Sequence, residues 1–179
     1  MTKKPKFTRA QIKDHIKKIQ DEIEKQRREH QRRGEHFKSI TPEEIEKKLK
    51  RVNSPFLFSE GWSSTTPPGG TISYTLGIYN PDVTQASDLY AHVWVGSGNV
   101  DPTVGTFLLN VDARFPRLTE PAAFGLTLAS GAFASPNFTL NVPTAVEATN
   151  YAGQSCLVQE VGFEVGKYLD RATFVFGVT

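Results

Sequence analysis

Residues 69–82 read GGTISYTLGIYNPD, in which Ile72, Tyr74, Leu76 and Ile78 alternate with Thr71, Ser73, Thr75 and Gly77. A period of two sends the first set to one face of a strand and the second to the other, so one face enters a core. Asn80-Pro81-Asp82 then closes the strand in a turn, because proline removes a ladder donor and Asn and Asp bond their own backbone. The pattern repeats outward. In LYAHVWVGSG, Leu89, Ala91, Val93 and Val95 form an apolar face opposite Tyr90, His92 and Trp94. FLFSEGW, GTFLLNV, AFGLTL, FTLNV, AGQSCLVQEVGF and RATFVFGV supply further short β-branched or aromatic runs between Gly, Pro, Asn and Ser. Together they predict about eight strands over residues 52–179, a number suited to a two-sheet fold.

The segment before Pro55 is different. Residues 1–51 hold 17 Lys+Arg and 9 Asp+Glu, net +8, whereas the remaining 128 residues hold 4 bases and 10 acids, net −6. The expectation is a basic arm, 1–51, on an acidic body, 52–179. Within the arm FTRAQI and ITPEEI each spell a capping box with a hydrophobic staple: Thr8 with Gln11 and Phe7 with Ile12, then Thr41 with Glu44 and Ile40 with Ile45. Pro42 fits the first helical position and Gly34 a left-handed stop. These signals predict helices near 9–33 and 42–51.

Ile12, Ile16, Ile19 and Ile23 recur at spacings of four, three and four, the alternation of a coiled-coil seam. Extended, the seam reaches Gln26, His30, Arg33, Phe37 and Ile40. An isolated helix gains too little from propensity to stand alone, so this stripe requires a covering surface. Two homes are open to it: self-association, or docking on the chain's own sandwich or on a partner. Ile12, Ile16, Ile19, Ile23, Phe37, Ile40, Ile45 and Leu49 are accordingly the expected oligomerisation or docking residues. The run QRREHQRRGEH, residues 26–36, mixes acids with bases, and acid-first pairs such as Asp21 with Lys25 and Glu24 with Arg28 mark a solvated face. That mixture, without a recognition helix, zinc finger or stacking motif, argues against a nucleic-acid grip.

PPGGTISYTLGIYNPD, SDLYAHVWV and FTLNVPTAVEATNYAGQSCLV together resemble the B, C and E–F strands of bacterial immunoglobulin-like, fibronectin-like domains of the cell-adhesion-related type. Gly70, Tyr74, Asn80, Pro143 and Tyr151 stand at the positions that carry the likeness, which covers about residues 55–179. The long stretch from Asn99 to Ala134 departs from that pattern and has room for the extra strands of a jelly roll. The expected fold is therefore mainly β, an Ig-like or jelly-roll antiparallel sandwich preceded by a charged α-helical arm. The resemblance implies a recognition or assembly module without catalysis.

Chemistry is sparse. Cys156 is the single cysteine, which excludes an internal disulfide, and in a strand such a residue is ordinarily a small apolar side chain. His92 is the body's one histidine, so a Cys–His pair needs two distant strands to meet. Asp82, Asp88, Asp101 and Asp112 lie in or near loops without calcium-loop spacing, Asn137-Phe138-Thr139 is a glycosylation sequon by spelling, and no phosphate-binding loop is present. No cofactor, no metal and no catalytic residue are expected. No apolar run reaches membrane-span length and no signal-peptide pattern opens the chain, which gives an expectation of a cytoplasmic location or export without a cleavable signal.

Three functions fit. The first is a non-enzymatic structural or adaptor protein that forms a homo-oligomer or filament, or docks on a protein partner, through the amphipathic arm and the sandwich body. The second is a carbohydrate- or ligand-binding module using Tyr90, His92 and Trp94, with Trp62 and Tyr79 nearby, provided that Trp94 faces outward and is not a core tryptophan. The third is association with nucleic acid through the basic arm.

Overall fold

The computed structural model describes residues 7–51, 54–96, 112–115, 118–120, 125–159 and 167–179. The expected strand at GTFLLNV and the loop aspartate Asp101 lie outside these. The described elements are helices α1 (Arg9–Arg32) and α2 (Pro42–Arg51) and strands β1 (His36–Ser39), β2 (Phe56–Trp62), β3 (Thr65–Thr66), β4 (Thr71–Tyr79), β5 (Ala86–Gly96), β6 (Leu118–Glu120), β7 (Leu126–Leu128), β8 (Phe133–Ala134), β9 (Asn137–Asn141), β10 (Asn150–Gln159) and β11 (Lys167–Val178).

They form two sheets. The first runs β1-β2-β4, with β8 and β9 sharing the far edge of β4; the second runs β3-β11-β10-β5, with β6 and β7 sharing the far edge of β5. Every described pairing is antiparallel except β3 with β11, where Thr65 and Thr66 lie parallel to Gly177 and Val178. The expected wholly antiparallel sandwich is corrected at this corner. Ile72, Tyr74, Leu76 and Ile78 face Leu89, Ala91, Val93, Val95, Leu157, Phe174 and Phe176, and these side chains form the main core. At about 25 cal/mol per Å² of apolar surface, this layer dominates the stability of the body. Tyr151, at the start of β10, donates its hydroxyl to the Glu147 carbonyl at 3.0 Å and ties down the corner after β9.

The arm is a third layer. Both capping boxes close: Thr8 Oγ1 accepts from Gln11 N at 3.2 Å and Thr41 Oγ1 from Glu44 N at 3.2 Å, each with the reciprocal side-chain bond. Gly34, at φ +67°, ends α1, its N–H donating to the Gln31 carbonyl while Glu35 N–H reaches the His30 carbonyl. That double bond pattern satisfies the last helical carbonyls.

Of the homes open to the isoleucine stripe, the chain's own first sheet is the one it occupies. Ile12, Ile19, Ile23, Ile45 and Leu49 are buried with Phe56, Phe58 and Tyr79 in a second apolar cluster, and Phe7, Ile16, Phe37, Ile40 and Phe133 pack at its margin. A coiled-coil seam would have to leave this cluster to form. The polar continuation of the stripe serves the same docking. Gln26 accepts from Ser59 Oγ at 2.6 Å and donates to Ser135 Oγ at 3.1 Å, and His30 stacks on Phe37 at 5.3 Å. Arg33, the next seam position, is instead the exposed C-cap. Between the helices, residues 36–39 pair with β2 as an edge strand, where the sequence suggested only a connection.

Candidate functional site

The second sheet turns one face to the core and the other outward, and strand register fixes which residues share the outer face. Tyr90 lies opposite Val158, and Val158 opposite Tyr168; His92 lies opposite Cys156 and Cys156 opposite Arg171; Trp94 lies opposite Gln154 and Gln154 opposite Thr173. Directly paired residues point the same way, so these three rows form one surface about two strand spacings, roughly 10 Å, across. Leu89, Ala91, Val93 and Val95 face inward, as the alternation predicts. Tyr90 and His92 are half-buried with rings 6.5 Å apart and 20° from parallel.

Trp94 answers neither of the expected alternatives. It points away from the main core, yet it is only 8% exposed and packs with Cys156 and Val158 in a small separate cluster. Gln154 and Thr173 beside it are buried as well. The open parts of the face are its ends: Tyr168 is 44% exposed and Val175 38%. Trp62 and Tyr79 do not join this surface. Trp62 donates Nε1–H to the Val175 carbonyl at 2.8 Å from the interior side of β2, and Tyr79 lies under α1 with its hydroxyl 2.5 Å from His15 Nδ1.

Cys156 and His92 do come to adjacent positions on neighbouring strands, the meeting that no sequence spacing could announce. Cys156 is buried, and the sheet holds it without the exposed turn that presents a nucleophile. The loop aspartates are engaged elsewhere. Asp82 accepts from Thr84 N–H within the turn after β4, and the Arg114 guanidinium beside Asp112 holds that carboxyl below the usual carboxylate range. Asp88 lies within β5, at φ +54°. Asn137 is exposed, with its Oδ1 accepting from Ser73 and Thr75.

Where the outer face wraps over β11 it meets a groove of about 910 Å³ between the sheets' edges. β1 and β2 supply Lys38, Phe58 and Glu60, the link after β1 supplies Ile40, α2 supplies Lys48 and Arg51, and β11 supplies Tyr168 to Thr173. One polar clamp holds this groove together: Lys48 Nζ bonds the Leu57 carbonyl at 3.0 Å and Asp170, which itself accepts from Leu57 N–H at 2.8 Å. Glu60 lies 4% exposed in the groove wall; Tyr74 donates to its Oε2 at 2.6 Å, and Lys38 Nζ stands 3.9 Å from Oε1. Burial pushes the Glu60 carboxyl up to about 7 against the opposing pull of Tyr74, Lys38 and Lys48.

Of these groove residues only Ile40 belongs to the set expected from the sequence, and there as a docking residue of the arm. The reason is a register shift in FLFSEGW. Strict alternation would put Phe56, Phe58 and Glu60 on one face, but the ladder slips between Leu57 and Ser59 and turns Glu60 inward beside Tyr74. An acid inside an otherwise apolar and aromatic run was the available signal.

No protein-family model matches the chain, and no curated protein matches it in sequence. Solved structures are similar in fold. The C-terminal domain of wzt superposes with a TM-score of 0.55 at 8% identity, covering 81% of this chain and 78% of that one. The CARDB domain of the PF1109 protein from Pyrococcus furiosus is a more distant likeness, with a TM-score of 0.41 at 12% identity, covering 70% of this chain and 86% of that one. A family 123 glycoside hydrolase from Clostridium perfringens gives 0.45 at 10% identity, with 81% of this chain on 27% of that one. At such identities a likeness speaks of fold alone, and this chain is a β-sandwich resembling the immunoglobulin-like and jelly-roll kinds, with an N-terminal helix. The cell-adhesion role attached to the sequence resemblance is not carried over. Among the described residues, no helix is long and apolar enough to cross a membrane.

Proposed function

We propose that this protein is a non-catalytic, carbohydrate-binding module whose ligand lies along the outer face of the second sheet. One observation carries this reading. Among the described residues the exposed large apolar side chains are Val83, Tyr168 and Val175, and two of these three belong to that face. Tyr90 and Tyr168 flank the same row, with His92 and Arg171 in the next, so stacking surfaces and hydrogen-bonding groups alternate as a sugar ring's apolar faces and hydroxyl edges require. The arm occupies the other outer face of the sandwich, so the isoleucine stripe on which the assembly reading depended is committed within the chain. The topology that goes with this reading is immunoglobulin-like rather than jelly-roll: β2-β4-β9 and β5-β10-β11 follow the order of the two immunoglobulin sheets, and Tyr151 makes the backbone bond of a tyrosine corner.

A glycan array probed with the full chain tests the function. Binding of one saccharide class is expected, weakened about tenfold by Tyr90→Ala and by Tyr168→Ala with the unfolding midpoint little changed. Trp94→Ala is a poorer probe, because removing a side chain only 8% exposed opens a cavity. An array without binding, or variants that bind like the parent, would refute the reading.

A further inference from the structure

Among the described residues the groove beside β11 mixes bases with acids, and protonating Glu60 tips that mixture toward positive charge. Lys38, Lys48, Arg51 and Arg171 line it, against Glu44, Glu60 and Asp170. Asp170 is taken by Lys48, and Glu44 by the cap of α2. Glu60 is therefore the acid whose protonation sets the balance. Its two oxygens are not equivalent. Oε2 accepts the Tyr74 hydroxyl, which also lies 3.0 Å from Ser155 Oγ, so a proton on the carboxyl belongs on Oε1, the oxygen nearer Lys38. Lys38 is mostly exposed and stands where the solvent side of the groove meets Glu60.

Tyr168, Arg171 and Thr173 belong both to this groove and to the outer face of the second sheet. A chain lying on that face reaches the groove by passing over one strand. We propose that the groove receives an anionic substituent, carboxylate or sulfate, of the saccharide bound on the outer face, and that Glu60 takes up one proton from solvent as the anion enters. The proposal rests on the carbohydrate-binding reading above and names the ligand's charge class. Protonated Oε1–H donates to the anion while Lys38, Arg51 and Arg171 supply positive potential; ionised Glu60 repels it. The coupling operates near neutrality because burial already holds this carboxyl near 7. The groups acting on it are Tyr74 from β4, Lys38 from β1 and Lys48 from α2, and the groove's other acids, Asp170 of β11 and Glu44 of α2, bond Lys48 and the Thr41 amide.

Calorimetry on the full chain with tetragalacturonate, its methyl ester and a sulfated tetrasaccharide tests this. At pH 6 one of the anionic probes is expected to bind about tenfold tighter than the ester, the worth of one charge-assisted bond. The advantage falls about tenfold from pH 7 to 8.5, with proton uptake visible as a dependence on buffer ionisation enthalpy. Glu60→Gln abolishes the pH dependence and the uptake; Lys38→Met weakens the anionic probe and leaves the ester alone. Equal binding of ester and acids, or an unchanged pH profile in Glu60→Gln, overturns the inference while leaving carbohydrate binding intact. Should no saccharide bind, the carbohydrate reading fails, and the groove is read by following the Glu60 carboxyl by carbon NMR during titration with galacturonate and sodium sulfate. An upward move in its titration midpoint supports the anion site, and an unmoved midpoint overturns it.

Discussion

Glu60 shows how one buried acid makes a fold sensitive to pH. Its carboxyl moves from 4.5 to about 7 because desolvation outweighs the Tyr74 hydrogen bond and the two lysines. The native state consequently binds a proton that the unfolded chain releases above pH 4.5. Stability from this group is complete below that value and is lost as pH rises through 7, a change of about 3 kcal/mol. Glu60→Gln keeps an acceptor for Tyr74 and cannot ionise. In urea unfolding it is expected to match the parent near pH 4.5 and to exceed it by up to about 3 kcal/mol at pH 8.5; parallel profiles would show that Glu60 is not the group responsible. Gly61 illustrates a different residue-scale constraint. A Cβ there would lie 2.2 Å from the His30 ring, so only glycine lets helix and sheet approach at this point. QRREHQRRGEH is thus more than a wet face: Gln26 and His30 are buried docking groups, while Arg27 and Arg28 pair with Glu24 on the solvent side.

At the scale of the element, α1 depends on contacts that its own sequence does not contain. His15 meets Tyr79, Lys18 bonds the Gly131 carbonyl, and Arg27 reaches Ser39 Oγ at 3.3 Å while lying over the Phe37 ring. Burial lowers the titration of both His15 and His30, for His30 in spite of Glu35. The neutral forms are the ones that fit, so docking stability is present above pH 6.5 and is lost as pH falls through the depressed values. Amide exchange in residues 9–32 is expected to accelerate between pH 7 and 5, after correction for intrinsic rates, before that of β4 and β10. Simultaneous loss of protection in helix and strands would mean that the arm has no separate equilibrium. Helix limits were legible from residues because capping boxes and a left-handed glycine act within a few positions. β1 was not legible: HFKS becomes a strand only because β2 offers it a ladder.

Across the whole molecule the arm is a cover. Phe56, Phe58 and Tyr79 are almost wholly buried, and helices α1 and α2 supply the surface over them. Removing residues 1–51 would expose this aromatic patch together with the β2 edge that β1 pairs. The truncated chain is expected to aggregate, whereas the full chain remains dispersed, as light scattering would reveal; a soluble, folded 52–179 fragment would contradict the three-layer account. Docking also explains how unlike halves, net +8 and net −6, coexist in one chain. Lys18 and Lys48 cross from the arm to the body through the Gly131 carbonyl and Asp170.

By itself the sequence determined what depends on near neighbours: helix starts and stops, the two-residue period of β4 and β5, and the inward set Leu89, Ala91, Val93 and Val95. It also carried the need of the isoleucine stripe for a cover, since an apolar face excludes water whatever covers it. Only the tertiary structure decided which surface that would be. The same holds for the register slip that turns Glu60 inward and for the strand order that sets His92, Cys156 and Arg171 in one row. Periodicity and capping are fixed within one or two turns of chain, whereas these outcomes depend on contacts between segments whose separation along the sequence no local pattern encodes.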